Sequence, residues 1–387
     1  MSLLTTSTAA DYVKQKTSIF SSSSNLSCSE IHGGNLNYAF VVTDATTTPP
    51  TSVFVKQAPD FIKCLGESAK LHKERLLLEV RAYSEWLTLS PSLSPNMPTI
   101  FHTDSKNCVV VMEFLGDCEL FEHELTTTPL SQPLLTNAAS GLGAFLGKIH
   151  SKTHVTQLPQ AVSDEYAASF KNESLRGVQM EYVFGKLVTE EAGEKGKVLA
   201  NDEEFLKGLE EIKAMYMGGD AQNLALCHGD FHPGSIMASK NGERVVAIDP
   251  EFVVYSAPGV DLGSLLSGVV LAAAHHKGGG GEAGAGAREK KMLGVFVAEL
   301  LGGYRKCAAD GSLASEIVEK IIVDSLGFAA CEVGRTALGF AGGRKWLQFE
   351  NLEGREKAVE RVVEIARRLM VERAGGEKVL LELIDLI

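Results

Sequence analysis

The sequence predicts an α+β chain in two lobes, an antiparallel sheet with helices in the first and mostly helix in the second. Three observations carry this expectation. β-forming runs cluster before residue 115, at 30–42, 53–57 and 108–115. From Gly116 onward apolar residues recur at three-to-four spacing, as at Leu142, Phe145, Leu146 and Ile149, the period of an amphipathic helix. One stretch breaks that pattern, His228 to Glu251, where short strands return with carboxylates at their ends. The expected division is therefore 1–115 and 116–387.

With 387 residues the chain is long enough for two cores. Its hydrophobic content of 44% and charged content of 22% are ordinary for a soluble globular protein. The formal net charge is -12, from 37 basic and 49 acidic residues, which argues against a nucleic-acid surface. A local basic pocket for a nucleotide remains compatible with it. The seven cysteines are scattered and form no CxxC pair, so reduced thiols are expected rather than disulfides or a zinc site. The longest apolar run, 262–274, is too short to span a bilayer and is expected to be a buried helix. The Ser/Thr-rich start has few basic residues and no apolar core of signal type, so the expected location is cytoplasmic, with no membrane partner.

Residues 9–19 read as a helix, followed by the polar tract 21–24. In the strand-like 30–42 run, Gly33, Gly34, Asn35 and Asn37 mark a turn. Such a turn lets backbone amides approach a phosphate, and an ordinary hairpin turn has the same composition. Val53 to Gln57 is a strand carrying one lysine, Lys56. A buried lysine needs a partner, and the helical segment 68–87 offers Glu79, with Glu74 and Glu85 as rivals. Snorkelling of an edge-strand lysine is the plain alternative. Prolines at 91, 95 and 98 make a loop before the strand 108–115. In a two-lobed kinase that strand would lead to a hinge where the backbone of Glu113, Phe114 and Leu115 meets adenine.

The helical part then follows. His150 and His154 fall at the end of helix 135–150 and read as helix-end residues rather than metal ligands. Gly218 and Gly219 stop the helix 203–217. Asp261 is placed to cap the apolar helix. The stretch 275–288, HHKGGGGEAGAGAR, reads as a flexible low-complexity loop, and helices return over 290–306, 312–325 and 353–371.

The stretch HGDFHPGSIMASKNGERVVAIDPE holds the chemistry. The turn Lys240-Asn241-Gly242 joins two strands, and Asp230 on one side faces Asp249 and Glu251 on the other. These carboxylates are expected at the mouths of neighbouring strands. Phosphoryl transfer needs this kind of set, one carboxylate to orient a hydroxyl and others to hold Mg²⁺ on nucleotide phosphates.

Taken together the motifs resemble the methylthioribose kinase family, in the aminoglycoside-phosphotransferase-like branch of the protein-kinase fold. The likeness runs through 4–12, Gly34-Asn35-Leu36-Asn37, Val55-Lys56-Gln57-Ala58, 64–68, 170–175, His228 to Ile236, and Asp249-Pro250-Glu251-Phe252 through Tyr255 and Gly259 to Gly263. The resemblance implies ATP-dependent phosphorylation of the 1-hydroxyl of S-methyl-5-thio-D-ribose in methionine salvage, with ATP and Mg²⁺ as cofactors and ATP between the lobes. It implies Asp230 as base, Asp249, Glu251 and Ser235 at the metal, and Lys56 with Glu79 and the 33–37 turn at the phosphates. Asn35 and Arg335 are implied at the substrate, Arg335 also neutralising transferring charge. The chain departs from the family at Thr336, where relatives carry a second arginine, at Pro233, and at Gly342 in place of a histidine. Partners implied are the small sugar and ATP, with a homodimer as the expected assembly. Two other outcomes fit the residues, a kinase of this fold for another small sugar or amino alcohol, and a non-catalytic nucleotide-binding relative.

Overall fold

In the computed structural model the described residues are 3–32, 34–278, 285–341, 344, 346, 347, 349 and 352–387. They form two compact units, Met1–Gly116 and Asp117–Ile387.

The first unit begins with α1 (Thr6–Lys16), whose first turn is closed by reciprocal bonds between Thr5 and Thr8. Strands β1 (Leu26–Glu30), β2 (Tyr38–Asp44) and β3 (Thr51–Gln57) follow, then α2 (Arg75–Leu89), β4 (Ile100–Asp104) and β5 (Val109–Glu113). The sheet order is β1-β2-β3-β5-β4, antiparallel throughout. Both faces are covered. Tyr12 and Val13 of α1 pack on Val53, Val55, Val109 and Val111. Leu76 and Leu77 of α2 pack on Phe54, Val110 and Met112. Burial on both sides is why 109–112 is apolar at every position rather than alternating. Because successive side chains point to opposite faces, Val55 goes to the α1 side and Lys56 goes to the α2 side.

The second unit contains β6 (Cys118–Leu120), α3 (Phe121–Thr126), α4 (Gln132–Thr153), α5 (Gln160–Ser169), α6 (Glu173–Gln179), α7 (Gly193–Ala200) and α8 (Glu203–Tyr216). Then come β7 (Ala225–Cys227), β8 (Ile236–Ser239), β9 (Val245–Ala247) and β10 (Val254–Ser256). Five helices close the chain: α9 (Gly259–Gly278), α10 (Ala285–Asp310), α11 (Ser315–Ala337), α12 (Leu352–Val371) and α13 (Gly376–Leu386). Helix α9 is buried almost along its whole length, as its mostly apolar run 262–274 requires. Helices α4 and α10 meet backbone to backbone: a methyl group on Gly143 would lie 2.3 Å from Leu300 O.

Three expectations are corrected here. The strands before Asp230 and Asp249 are not neighbours, because β7 pairs with β10 whereas β9 pairs with β8. Asp261 does not cap α9; the helix starts at Gly259, and the Asp261 carboxylate points to the loop after β7. The stretch 275–288 is not all loop, since α9 runs to Gly278 and α10 starts at Ala285. His275 and His276 are helical, bonded to Trp346 O at 3.0 Å and Leu125 O at 2.9 Å. Tertiary acceptors extended a helix that local composition would have ended. Gly33 and Gly342 lie outside the described residues.

Candidate active site

Two groups of candidate site residues stand in the structure, one in each unit. In the first unit, Lys56 Nζ lies 2.6 Å from Glu79 Oε2, with both side chains buried. This is the pair expected from the sequence, chosen over Glu74 and Glu85. A buried ammonium and carboxylate must hold one another, so the lysine head is fixed in one place.

Arg75, one helical turn before Glu79, was not anticipated. It is 3% exposed. Its guanidinium donates to Leu36 O at 3.0 Å and to Asn37 Oδ1 at 2.8 Å, and also to Pro59 O and His72 O. The Gly34–Asn37 turn is thereby tied to the helix that holds Lys56. Asn37 is a buried structural anchor, while Gly34 and Asn35 are exposed. Asn35 O accepts from Cys64 N at 3.0 Å. At the end of β5, Glu113 N–H donates to Thr99 O at 2.8 Å, so that amide is already engaged within the sheet.

In the second unit the loop after β7 is held by one carboxylate. Asp261 Oδ1 accepts from Gly229 N at 2.8 Å, and Oδ2 accepts from His228 N at 2.8 Å. His150 Nε2 lies 3.0 Å from the same Oδ2, and its Nδ1 lies 3.1 Å from Tyr304 Oη. His150, Cys227 and Asp261 stand close enough to share a metal ion. Each is already bonded within the protein, Cys227 Sγ lying 3.4 Å from Ala225 O, so the trio is a structural knot. Gly229 has φ +87°, and a methyl group there would lie 2.0 Å from Phe252 O, so only glycine fits. His228 Nε2 donates to Ile248 O at 2.9 Å. That bond, rather than strand pairing, brings the segments of Asp230 and Asp249 together. Phe231 is fully buried and stacks on Phe145 at 5.7 Å, which fixes the side on which Asp230 emerges.

Asp230 is partly exposed, its Oδ2 3.5 Å from His232 Nε2. His232 Nδ1 accepts from Gly234 N at 2.9 Å, so the proton sits on Nε2, facing Asp230. Burial would raise the Asp230 carboxyl, but the His232 imidazole and the guanidiniums of Arg344 and Arg335 outweigh it and hold the group well below the usual carboxylate range.

Asp249 is exposed and left-handed, at φ +63°, a conformation that non-glycine residues rarely adopt. Glu251, two residues on, is 4% exposed. Their turn is braced by Asn172, whose Nδ2 donates to Glu251 O at 2.8 Å and Val253 O at 3.0 Å. Ser235 is buried, its N donating to His232 O and its O accepting from Ile248 N. Asp249, Glu251 and Ser235 offer oxygen donors only, the chemistry of a hard cation such as Mg²⁺. Arg335 lies on α11, its Nε 3.0 Å from Glu332 Oε2. Glu332 carried a missed signal, a charged residue inside the apolar run 326–334, which demands a partner.

The sequence profile described as "Phosphotransferase enzyme family" matches residues 27–291. The chain belongs to this family. Lys56, Arg75, Glu79, His150, Asp230, Asp249, Glu251 and Asp261 fall within the segment matched to this phosphotransferase family, and Tyr304, Glu332, Arg335 and Arg344 lie beyond it. A methylthioribose kinase of Geobacillus sp. (strain WCH70) is 27% identical over 368 residues, covering 92% of this chain and 88% of its own. One from Bacillus velezensis is 28% identical over 346 residues, covering 87% and 84%. Among solved structures, a choline kinase from Cryptosporidium parvum Iowa II has a TM-score of 0.53 at 13% identity, covering 95% of this chain and 97% of its own; that likeness concerns the fold. This phosphotransferase has the kinase-like fold and is a small-molecule kinase by class. Among the described residues, no helix is long and apolar enough to cross a membrane.

Proposed function

We propose that the chain is an ATP-dependent kinase that phosphorylates the 1-hydroxyl of S-methyl-5-thio-D-ribose, a step of methionine salvage. The carrying observation is the second-unit constellation in which Asp261 holds the Asp230 loop and the His228–Ile248 bond ties it to Asp249 and Glu251. Curated relatives that match most of the chain are methylthioribose kinases, and they support the choice of sugar.

In this proposal Lys56, fixed by Glu79, binds the nucleotide phosphates, and the Gly34–Asn37 turn receives them on backbone amides. Asp249, Glu251 and Ser235 hold Mg²⁺, which neutralises phosphate charge when bound. Asp230 accepts a hydrogen bond from the sugar hydroxyl and aims its oxygen at the γ-phosphorus. The oxygen–phosphorus bond forms as the β–γ bridging bond breaks and ADP leaves. The hydroxyl proton passes to Asp230. A carboxylate held so far below its usual range is a weak base, so it orients first and takes the proton late, as the hydroxyl oxygen loses electron density. Catalysis is by positioning and electrostatics.

The test is ADP production by the purified protein with methylthioribose, against a panel of other sugars, choline and ethanolamine. Methylthioribose-dependent turnover that collapses in Asp230→Asn is the expected result. Turnover of another acceptor alone would overturn the sugar assignment, and nucleotide binding without turnover of any acceptor would overturn the kinase.

A further inference from the structure

Helix α6 grips both segments of the second-unit site, and it does so through their backbone carbonyls. Asn172 stands at its start, Arg176 lies inside it and Gln179 ends it. Spacings of four and three residues put these side chains on one side of the helix. Asn172 Nδ2 donates to Glu251 O and Val253 O, and Arg176 Nη2 donates to Tyr255 O at 3.2 Å. Those acceptors are alternate residues of the stretch that follows Asp249. Gln179 Nε2 reaches the other segment, donating to Gly229 O at 2.6 Å.

The Gly229 carbonyl belongs to the peptide bond that enters Asp230. A peptide unit is planar and rigid, so the direction of its C=O sets the plane from which the Asp230 side chain departs. Glycine is the least restrained residue type, so the orientation of this unit must be imposed from outside it. Its N–H faces His228 Nδ1 at 3.4 Å, a long contact; the Gln179 bond is the short one. The Gln179 amide is itself fixed. Gly229 O can only accept, so the amide nitrogen must face it, and Gln179 Oε1 accepts from the Tyr216 hydroxyl on the other side. Gln179 is 5% exposed and Tyr216 1%. Burial raises the Tyr216 phenol far above its ordinary value, so it stays a donor. Tyr216 O in turn accepts from the Ser256 hydroxyl at 2.7 Å.

We infer that Gln179 is a positioning residue for Asp230, aiming its carboxylate by holding the Gly229–Asp230 peptide, and that α6 thereby keeps Asp230 in register with the Asp249–Glu251 turn. The inference deepens the proposed kinase reading and rests on it. A carboxylate that orients a hydroxyl acts through angle and distance, so a tilt of its peptide is felt in kcat rather than in nucleotide binding.

The test is a double-mutant cycle on the full chain: wild type, Gln179→Met, Asp230→Asn and the two combined, with Tyr216→Phe made in both backgrounds. Methionine keeps the length of the side chain and removes both bonds. Readouts are the melting temperature, and kcat and KM with whichever acceptor the wild type turns over, slow variants being followed by accumulated product. Gln179→Met is expected to lower kcat about tenfold to thirtyfold, with KM for ATP moving less than about threefold. In the Asp230→Asn background the same substitution is expected to cost less than about twofold, because the group it aims is already disabled. Tyr216→Phe keeps Gln179 but frees its amide, and is expected to cost about threefold in the first background and nothing in the second. If Gln179→Met fails to fold, the Tyr216→Phe pair carries the test. Unchanged kcat in Gln179→Met overturns the inference. So does an equal loss in both backgrounds, the mark of a residue that serves the fold alone. Failure of the kinase reading looks different: wild type then turns over no acceptor at all, and the inference falls with it.

Discussion

Arg75 donates to the side-chain carbonyl of Asn37 at 2.8 Å, from the same helix face that presents Glu79 to Lys56. Helix α2 therefore fixes both the Gly34–Asn37 turn and the head of Lys56. Arg75→Met should raise KM for ATP about tenfold, about 1.4 kcal/mol, while kcat changes less. Arg75→Lys should fall between, because a lysine cannot reach all the carbonyls at once. Nucleotide titration and steady-state kinetics check this; an unchanged KM would show that Arg75 serves stability alone.

Asp230→Asn should lower kcat by about 10³-fold or more and leave ATP binding near wild type, since the proposed function assigns the nucleotide to other residues. Isothermal titration alongside turnover separates the two effects. Retention of most activity would remove Asp230 from its assigned role.

Asp261→Asn should destabilise the fold by roughly 2–4 kcal/mol. The amide group would bring a donor up against the donors of His228 N, Gly229 N or His150. Denaturant unfolding measures the loss, and turnover of the folded fraction should fall too, because the Asp230 loop hangs from these bonds. A stability change below about 1 kcal/mol would contradict the assigned anchoring.

Stability should also fall as pH drops below 7. Burial lowers the pKa of His228, His154 and His276. A histidine whose folded pKa is depressed binds protons more readily when unfolded, so its contribution is full above the unfolded value of about 6.5 and is lost as pH falls toward the folded value. Melting curves from pH 8 to pH 5 should show this decline, and His276→Gln should flatten part of it. A melting temperature constant down to pH 5 would contradict the sign. Asp230 acts lower, its depressed pKa giving stability that is present above about pH 4 and lost below it.

Local pattern made much of this protein legible in its sequence. The apolar β-branched run of β5 and the lone lysine of β3 were readable because such residues favour strands and a buried charge needs a partner. The carboxylates of Asp249 and Glu251 were visible because they follow a β-branched run at its end. Longer-range relations were not. Nothing near Asp261 in the chain says that its carboxylate will receive amides of residues 228 and 229, so it looked like a helix cap. The pairing of β7 with β10 rather than β9 was likewise decided by the return of the chain after residue 252. Arg344 and Arg335 are more than 80 residues past Asp249 in sequence, and only the fold brings their charges to Asp230.

The Asp261 knot has a further consequence for how the protein is made. It joins residues 150, 228, 229 and 261, contacts separated by up to 111 positions along the chain. Contacts of such separation form late, after the loop-closure cost has been met by others. The Asp230 loop therefore acquires its shape only when α4, β7 and α9 have all docked. A chain without α9 has the Asp230 carboxylate but not the Asp261 bonds that hold its loop.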